Sequence, residues 1–135
     1  MRAAQELRLS IEELAQKLEG YGHVVTSHGP TPIEDREPRY AAIARLCTAL
    51  RTLTPRCGSI LSVEVATEIR RAVDEIEDRV MPQLRRKVEK HAEDPANLGR
   101  LFDDWWRAVY MAEGSALVHS ARSLRVLAKK LAPLA

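Results

Sequence analysis

Between residues 62 and 92 the apolar side chains Val65, Ile69, Val73, Ile76, Val80, Leu84 and Val88 recur at steps of three or four. That spacing returns to one face of a 3.6-residue helix and to neither face of a strand. It therefore predicts one long helix, and a helix of about 30 residues extends about 45 Å. Pro82 lies inside the stripe. Its ring removes a backbone donor, so a kink is expected there, but the stripe continues beyond it and so should the helix. Asp94-Pro95 is a restart signal, with the carboxylate as cap and the proline in the first turn. A second stripe follows: Leu98, Leu101, Phe102, Trp105, Val109, Ala112, Ala116, Leu117, Ala121, Leu124, Ala128 and Leu131. Gly99 and Gly114 weaken it only slightly.

A tight connection between two such helices predicts an antiparallel hairpin. Folding at Asp94-Pro95 would bring Arg85 and Arg86 near Asp103 and Asp104, and Glu64 and Glu68 near Arg122 and Arg125. A hairpin this long cannot cover its own apolar stripe. It has to pack on the rest of the chain or on a second copy, so a homodimer is expected, or else a protein partner.

The first half reads as shorter helices. Ser10 and Glu13 have capping-box spacing, and Ile11, Leu14, Ala15 and Leu18 share a face. Gly20 and Gly22 are expected to end that helix, leaving 20–31 as a loop. Thr31-Pro32-Ile33-Glu34 is a second start signal, and Pro38 should stop it quickly. From Arg39 to Leu53 the pattern is helical again through Ile43, Leu46, Cys47 and Leu50. The sequence TPRCGS at 54–59 interrupts it. The expected organisation is two units, 1–55 and 56–135. The expected class is all-α: a short-helix first half followed by a long antiparallel helical hairpin.

Composition agrees with helices: Ala, Leu, Arg and Glu dominate, and aromatic residues make up only 4%. The hydrophobic share of 45% and charged share of 30% are those of a folded chain that needs no membrane. Net charge is +2, and the first 55 residues carry equal numbers of acidic and basic side chains. No global basic field therefore advertises nucleic acid. Cys47 and Cys57 form no CxxC pair and read as reduced core thiols. With no signal peptide and no membrane-spanning run, a cytoplasmic location is expected. No metal-ligand spacing, phosphate-binding glycine loop or nucleophilic triad is visible, so neither cofactor nor metal is expected.

Two segments carry a family resemblance. LSIEELAQKL at 9–18 resembles the second helix of the Xre-type helix-turn-helix, the family of the lambda and Cro repressors. IEDREPRYAAIARLCTAL at 33–50 resembles that family's following I-E and its core-closing helix. The resemblance covers the first 50 residues and implies a DNA-binding transcriptional regulator of repressor type. In such proteins the third helix lies in the major groove, and neighbouring groups hold phosphates. By position, Thr26, Ser27, His28 and Thr31 would read DNA, with Arg36 and Arg39 beside them. Gly29, Pro30 and Pro32 fall where the family has a continuous helix, and Ile11 and Ala4 replace a glutamine and an arginine. The reading helix is thus expected to shrink to a loop, Ser27 to Pro30, plus one turn beginning at Pro32. If its DNA contacts are lost, the alternative is a helical protein–protein interaction module.

Trp105, Trp106 and Tyr110 are the interface candidates of the second half. Adjacent tryptophans cannot both face one core. Trp105 lies on the stripe, so Trp106 should be partly exposed or should enter an interface. Arg86-x4-His91 also resembles the motif of HEPN ribonucleases, in which an arginine and a histidine meet across a dimer. That resemblance implies phosphodiester chemistry as a minor alternative. Otherwise no enzyme is expected.

Overall fold

The computed structural model describes residues 2–99 and 103–134. Among these every regular element is helical, so the fold is all-α. Leu101 and Phe102, expected on the second stripe, lie outside the described residues.

Helix α1 runs unbroken over Arg2–His28. Ser10 is inside it rather than capping it, and neither Gly20 nor Gly22 ends it. A helical glycine costs about 1 kcal/mol relative to alanine. That is less than the burial of Tyr21 and Val25 gains by extending the face made by Leu7, Ile11, Leu14 and Leu18. The helix stops at Gly29, which has φ of +65° and whose N–H donates to the Val25 carbonyl. The expected loop 20–31 is therefore only the short link after His28. Because 9–18 and 20–28 share one helix, no turn separates a second helix from a third.

Helix α2, Ile33–Arg56, begins after an extended Pro32 with no side-chain cap. Thr31 is not the cap; its carbonyl instead accepts from Arg36. Pro38 sits inside α2 and does not end it. The ring lies on the exposed side, while Tyr40, Ile43, Cys47 and Leu50 bury the opposite face. Pro55 is also inside α2, so the interruption at 54–59 is a sharp turn after Arg56. A 3-10 turn at Gly58–Ile60 leads to Ser62, whose Oγ accepts from the Val65 N–H at 3.1 Å and caps the next helix.

Helix α3, Val63–Glu75, a π turn at Ile76–Val80 and α4, Met81–Glu93, follow end to end as one rod. Its buried line includes Ile69, Val73, Ile76, Val80, Leu84 and Val88, as the spacing predicts. Pro82 is absorbed by the π turn just before it. There the Met81 N–H reaches back five residues to the Ile76 carbonyl. Asp94 caps only a 3-10 turn, Pro95–Asn97, and Gly99 with φ of +70° follows it. The last long helix, α5 over Asp104–Leu131, starts instead at Asp103, whose Oδ1 accepts from the Trp106 N–H at 2.8 Å.

This late start resets the register expected for the hairpin. Lys87 pairs with Glu113 at 3.0 Å and Lys130 with Glu68 at 2.9 Å, so the rod and α5 run antiparallel. Arg125 reaches Glu19 on α1, and Arg85 lies 4.2 Å from the Tyr40 ring centroid. The principal neighbour of α5 is α1 rather than the rod. They cross where Gly22 meets Gly114. A Cβ on Gly22 would fall 2.9 Å from the Gly114 carbonyl oxygen, and one on Gly114 would collide with Thr26 Cγ2. One hydrophobic cluster includes Leu7, Leu50, Ile69, Leu117 and Leu131, so residues on both sides of 54–59 share a core.

Candidate binding groove

The end of the bundle where α4 stops and α5 begins is open. The rod arrives with Arg86, Lys87, Lys90 and His91, the link supplies Asp94 and Asn97, and α5 leaves with Trp105, Trp106 and Val109. Together they line a groove of about 630 Å³. The groove exists because the helices are spaced by rings here. The His91 imidazole stacks on Trp106 with centroids 3.6 Å apart and planes at 16°. His91 Nδ1 is 2.8 Å from the Tyr110 hydroxyl, and its backbone carbonyl accepts from Asn97 Nδ2 at 2.9 Å.

Burial lowers the His91 pKa, opposed by the nearby charges of Asp103 and Asp94, so the ring is neutral near pH 7. Burial pushes the Tyr110 hydroxyl up, so it keeps its proton. The Tyr110 hydroxyl and His91 Nδ1 share one hydrogen bond, whose direction follows the tautomer of the ring.

Trp105 is 65% exposed, whereas Trp106 is half-buried. Trp106 is partly exposed as expected, but Trp105, expected on the buried stripe, is the more exposed of the two. Helix α5 takes its phase from Leu131, Ala128, Leu124, Ala121 and Leu117, which count back to Gly114, Tyr110 and Trp106. Trp105, Val109 and Ala112 belong to the neighbouring, weaker phase, and Ala112 is exposed. Tyr110 is 1% exposed. It is a core residue beneath the groove, not a surface contact.

Below the groove lies a polar cluster that sequence reasoning missed. Arg36 is 3% exposed; it donates to the Thr31 carbonyl and to Glu89 Oε2 at 2.9 Å. Burial disfavours its charge, but the hydrogen bond and charge of Glu89 outweigh that and raise its pKa. The Tyr21 hydroxyl donates to that of Tyr40 at 3.3 Å, and burial raises both pKa values. Arg36 Nε and Glu89 Oε1 are buried without a hydrogen-bond partner among the described residues. Glu113, 2% exposed, is held by Lys87 and by Gln83 Nε2 at 3.2 Å. Nothing in the spacing announced the partners of Glu89 and Glu113, since Arg36–Glu89, Gln83–Glu113 and Lys87–Glu113 each join residues more than 25 positions apart.

The residues expected to read DNA do not form one exposed surface. The Thr26 hydroxyl donates back to the Gly22 and His23 carbonyls at 3.1 and 3.2 Å. Ser27 and His28 are exposed on the last turn of α1, Thr31 is half-buried, and Arg36 is inside. Arg39 pairs with Asp35 at 3.2 Å and lies 5.5 Å from the Tyr21 ring centroid. Arg86 and His91 do share the groove, but His91 is held by Tyr110 and Trp106.

Cys47 and Cys57 are buried and free, and burial pushes the Cys47 thiol up to about 12. Among the described residues no group of three or more histidine, cysteine or carboxylate side chains could hold a metal. No described helix is long and apolar enough to cross a membrane. Compared with known protein families, with curated proteins and with solved structures, the chain has no match in any of the three.

Proposed function

We propose that this chain is a non-catalytic helical binding module whose recognition surface is the α4–α5 groove. One observation carries the reading. Trp105, a large apolar side chain, stands 65% exposed at the mouth of a groove whose other aromatic residues are tightly held. Its ring is 4.6 Å from that of Trp106 at 80°, and Trp106 is itself backed by His91. A tryptophan displayed on a rigid support binds with little loss of conformational freedom, the property of an interface anchor. Sequence-specific reading of duplex DNA by residues 26–39 has less support, because Arg36 and Arg39 are engaged with Glu89 and Asp35. Phosphodiester cleavage at Arg86 and His91 is likewise less supported, since the His91 ring is engaged by the Tyr110 hydroxyl and stacked on Trp106.

Photo-crosslinking tests this reading. Trp105→p-benzoylphenylalanine, expressed in the native host, should yield a discrete adduct on irradiation. The same group at Val126, which is 55% exposed on the far part of α5, should not. The adduct should disappear when Arg86 and Lys90 are also changed to alanine. Equal labelling at positions 105 and 126, or none at 105, would sink the proposal.

A further inference from the structure

We infer that the groove receives a nucleotide unit, a flat base joined to a phosphate, either free or within a single strand. The inference rests on the groove being the recognition surface. Its lining combines two chemistries that seldom coincide by packing alone. One is a displayed aromatic platform: Trp105, fixed through Trp106 and His91 to Tyr110. The other is cationic. Arg86 and Lys90 lie one helical turn apart on α4 and line the same groove. Among the described residues neither is paired with a carboxylate, whereas Lys87 beside them is held by Glu113. Two carboxylates near His91 oppose them, and both act as caps: Asp94 accepts from the Ala96 N–H at 2.9 Å and Asp103 from the Trp106 N–H at 2.8 Å. The groove therefore presents two available positive charges next to one open ring.

An anion is required by the charges, and a planar apolar group by the tryptophan. An acidic peptide without aromatic or proline side chains satisfies the first and leaves the tryptophan face bare. A nucleotide satisfies both: every base has a face to stack, and each is joined to a phosphate. The volume of about 630 Å³ suits a ligand of that size.

The chain's only tryptophans are Trp105 and Trp106, so intrinsic emission reports the groove directly. Titration with adenosine monophosphate and with short single-stranded adenylate oligomers should quench that emission. Inorganic phosphate and polyglutamate should not. Affinity that rises with oligomer length assigns the site to a strand; equal affinity for the mononucleotide assigns it to a free nucleotide. By anisotropy of a labelled nucleotide or oligomer, Trp105→Ala should weaken binding about tenfold or more, a typical loss for one base stack. Arg86→Ala should weaken binding and flatten its salt dependence. Both positions are exposed, and circular dichroism verifies that the variants fold.

Quenching by polyglutamate as strong as by oligomers, or binding indifferent to Trp105→Ala, would overturn the nucleotide assignment. So would the absence of quenching by any nucleotide. If the crosslink at position 105 persists in those cases, the groove still binds a partner and only its ligand class is wrong. If that crosslink is also missing, the binding-module reading falls with it.

Discussion

The start and the middle of α5 are built on opposite rules. Toward its middle, Gly114 lets the backbone of α5 touch that of α1 at Gly22, and no side chain separates the helices. At its start, Trp106 and Tyr110 hold it off α4 through stacked rings and a hydrogen bond to His91. Close approach produces a tight contact with little room for added atoms. Separation by rings produces a groove, a displayed tryptophan and a layer of polar groups that must satisfy one another. The same helix therefore acts as structural axis at its middle and as one wall of a groove at its start.

The sharpest way to break this comparison is to fill the crossing. Gly114→Leu places carbon against Thr26 Cγ2, which can move, and 2.8 Å from the Gly22 carbonyl oxygen, which cannot move unless α1 shifts. Urea denaturation should record a loss of about 3 kcal/mol, the upper range for an overpacked core. A loss under about 1 kcal/mol would mean the helices are not in contact there.

The open end is expected to be nearly as sensitive, but through charge rather than volume. Arg36→Ala leaves Glu89 without its partner beneath the groove. Breaking a buried pair typically costs 3–5 kcal/mol. Because the Glu89 side chain is 29% exposed, about 2–3 kcal/mol is the expected loss here. Adding Glu89→Met should restore much of it, since the unpaired charge goes too. Failure of that second change to help would place the destabilisation in lost packing instead.

The smallest effect sharpens the contrast between two glycines of α1. Gly20 is exposed and a Cβ there meets nothing within 4 Å, whereas Gly22 faces Gly114. Gly20→Ala should therefore stabilise the protein by about 0.5–1 kcal/mol, through helix propensity alone. Gly22→Ala should destabilise it. Matching signs in thermal unfolding of the two variants would contradict the crossing.

These glycines also explain what was legible in the sequence. A glycine that stops a helix and a glycine that lets another helix approach look alike when read locally. Gly22 reads as a stop because the residue it accommodates, Gly114, lies about ninety positions away. Pro38 and Pro55 read as ends for a related reason: the loss of a backbone donor is local, and the buried face that offsets it is not. The rod 63–93 was legible because its apolar side chains are numerous and evenly spaced. The start of α5 was misphased because the residues that anchor its phase, Leu117 to Leu131, lie after the tryptophans rather than around them.

Periodicity and composition by themselves determined that the chain is helical, which face of the rod and of the later part of α5 is apolar, and that a turn follows α2. Those properties depend on side chains within a few residues of one another. Only the tertiary structure decided that Arg2–His28 is a single helix, that α5 packs chiefly on α1, and that Trp105 rather than Trp106 is displayed. It also decided that Arg36 is enclosed with Glu89 instead of offered to a partner. Each of these depends on groups far apart in the chain, whose mutual burial outweighs the local preference of a glycine, a proline or a charge.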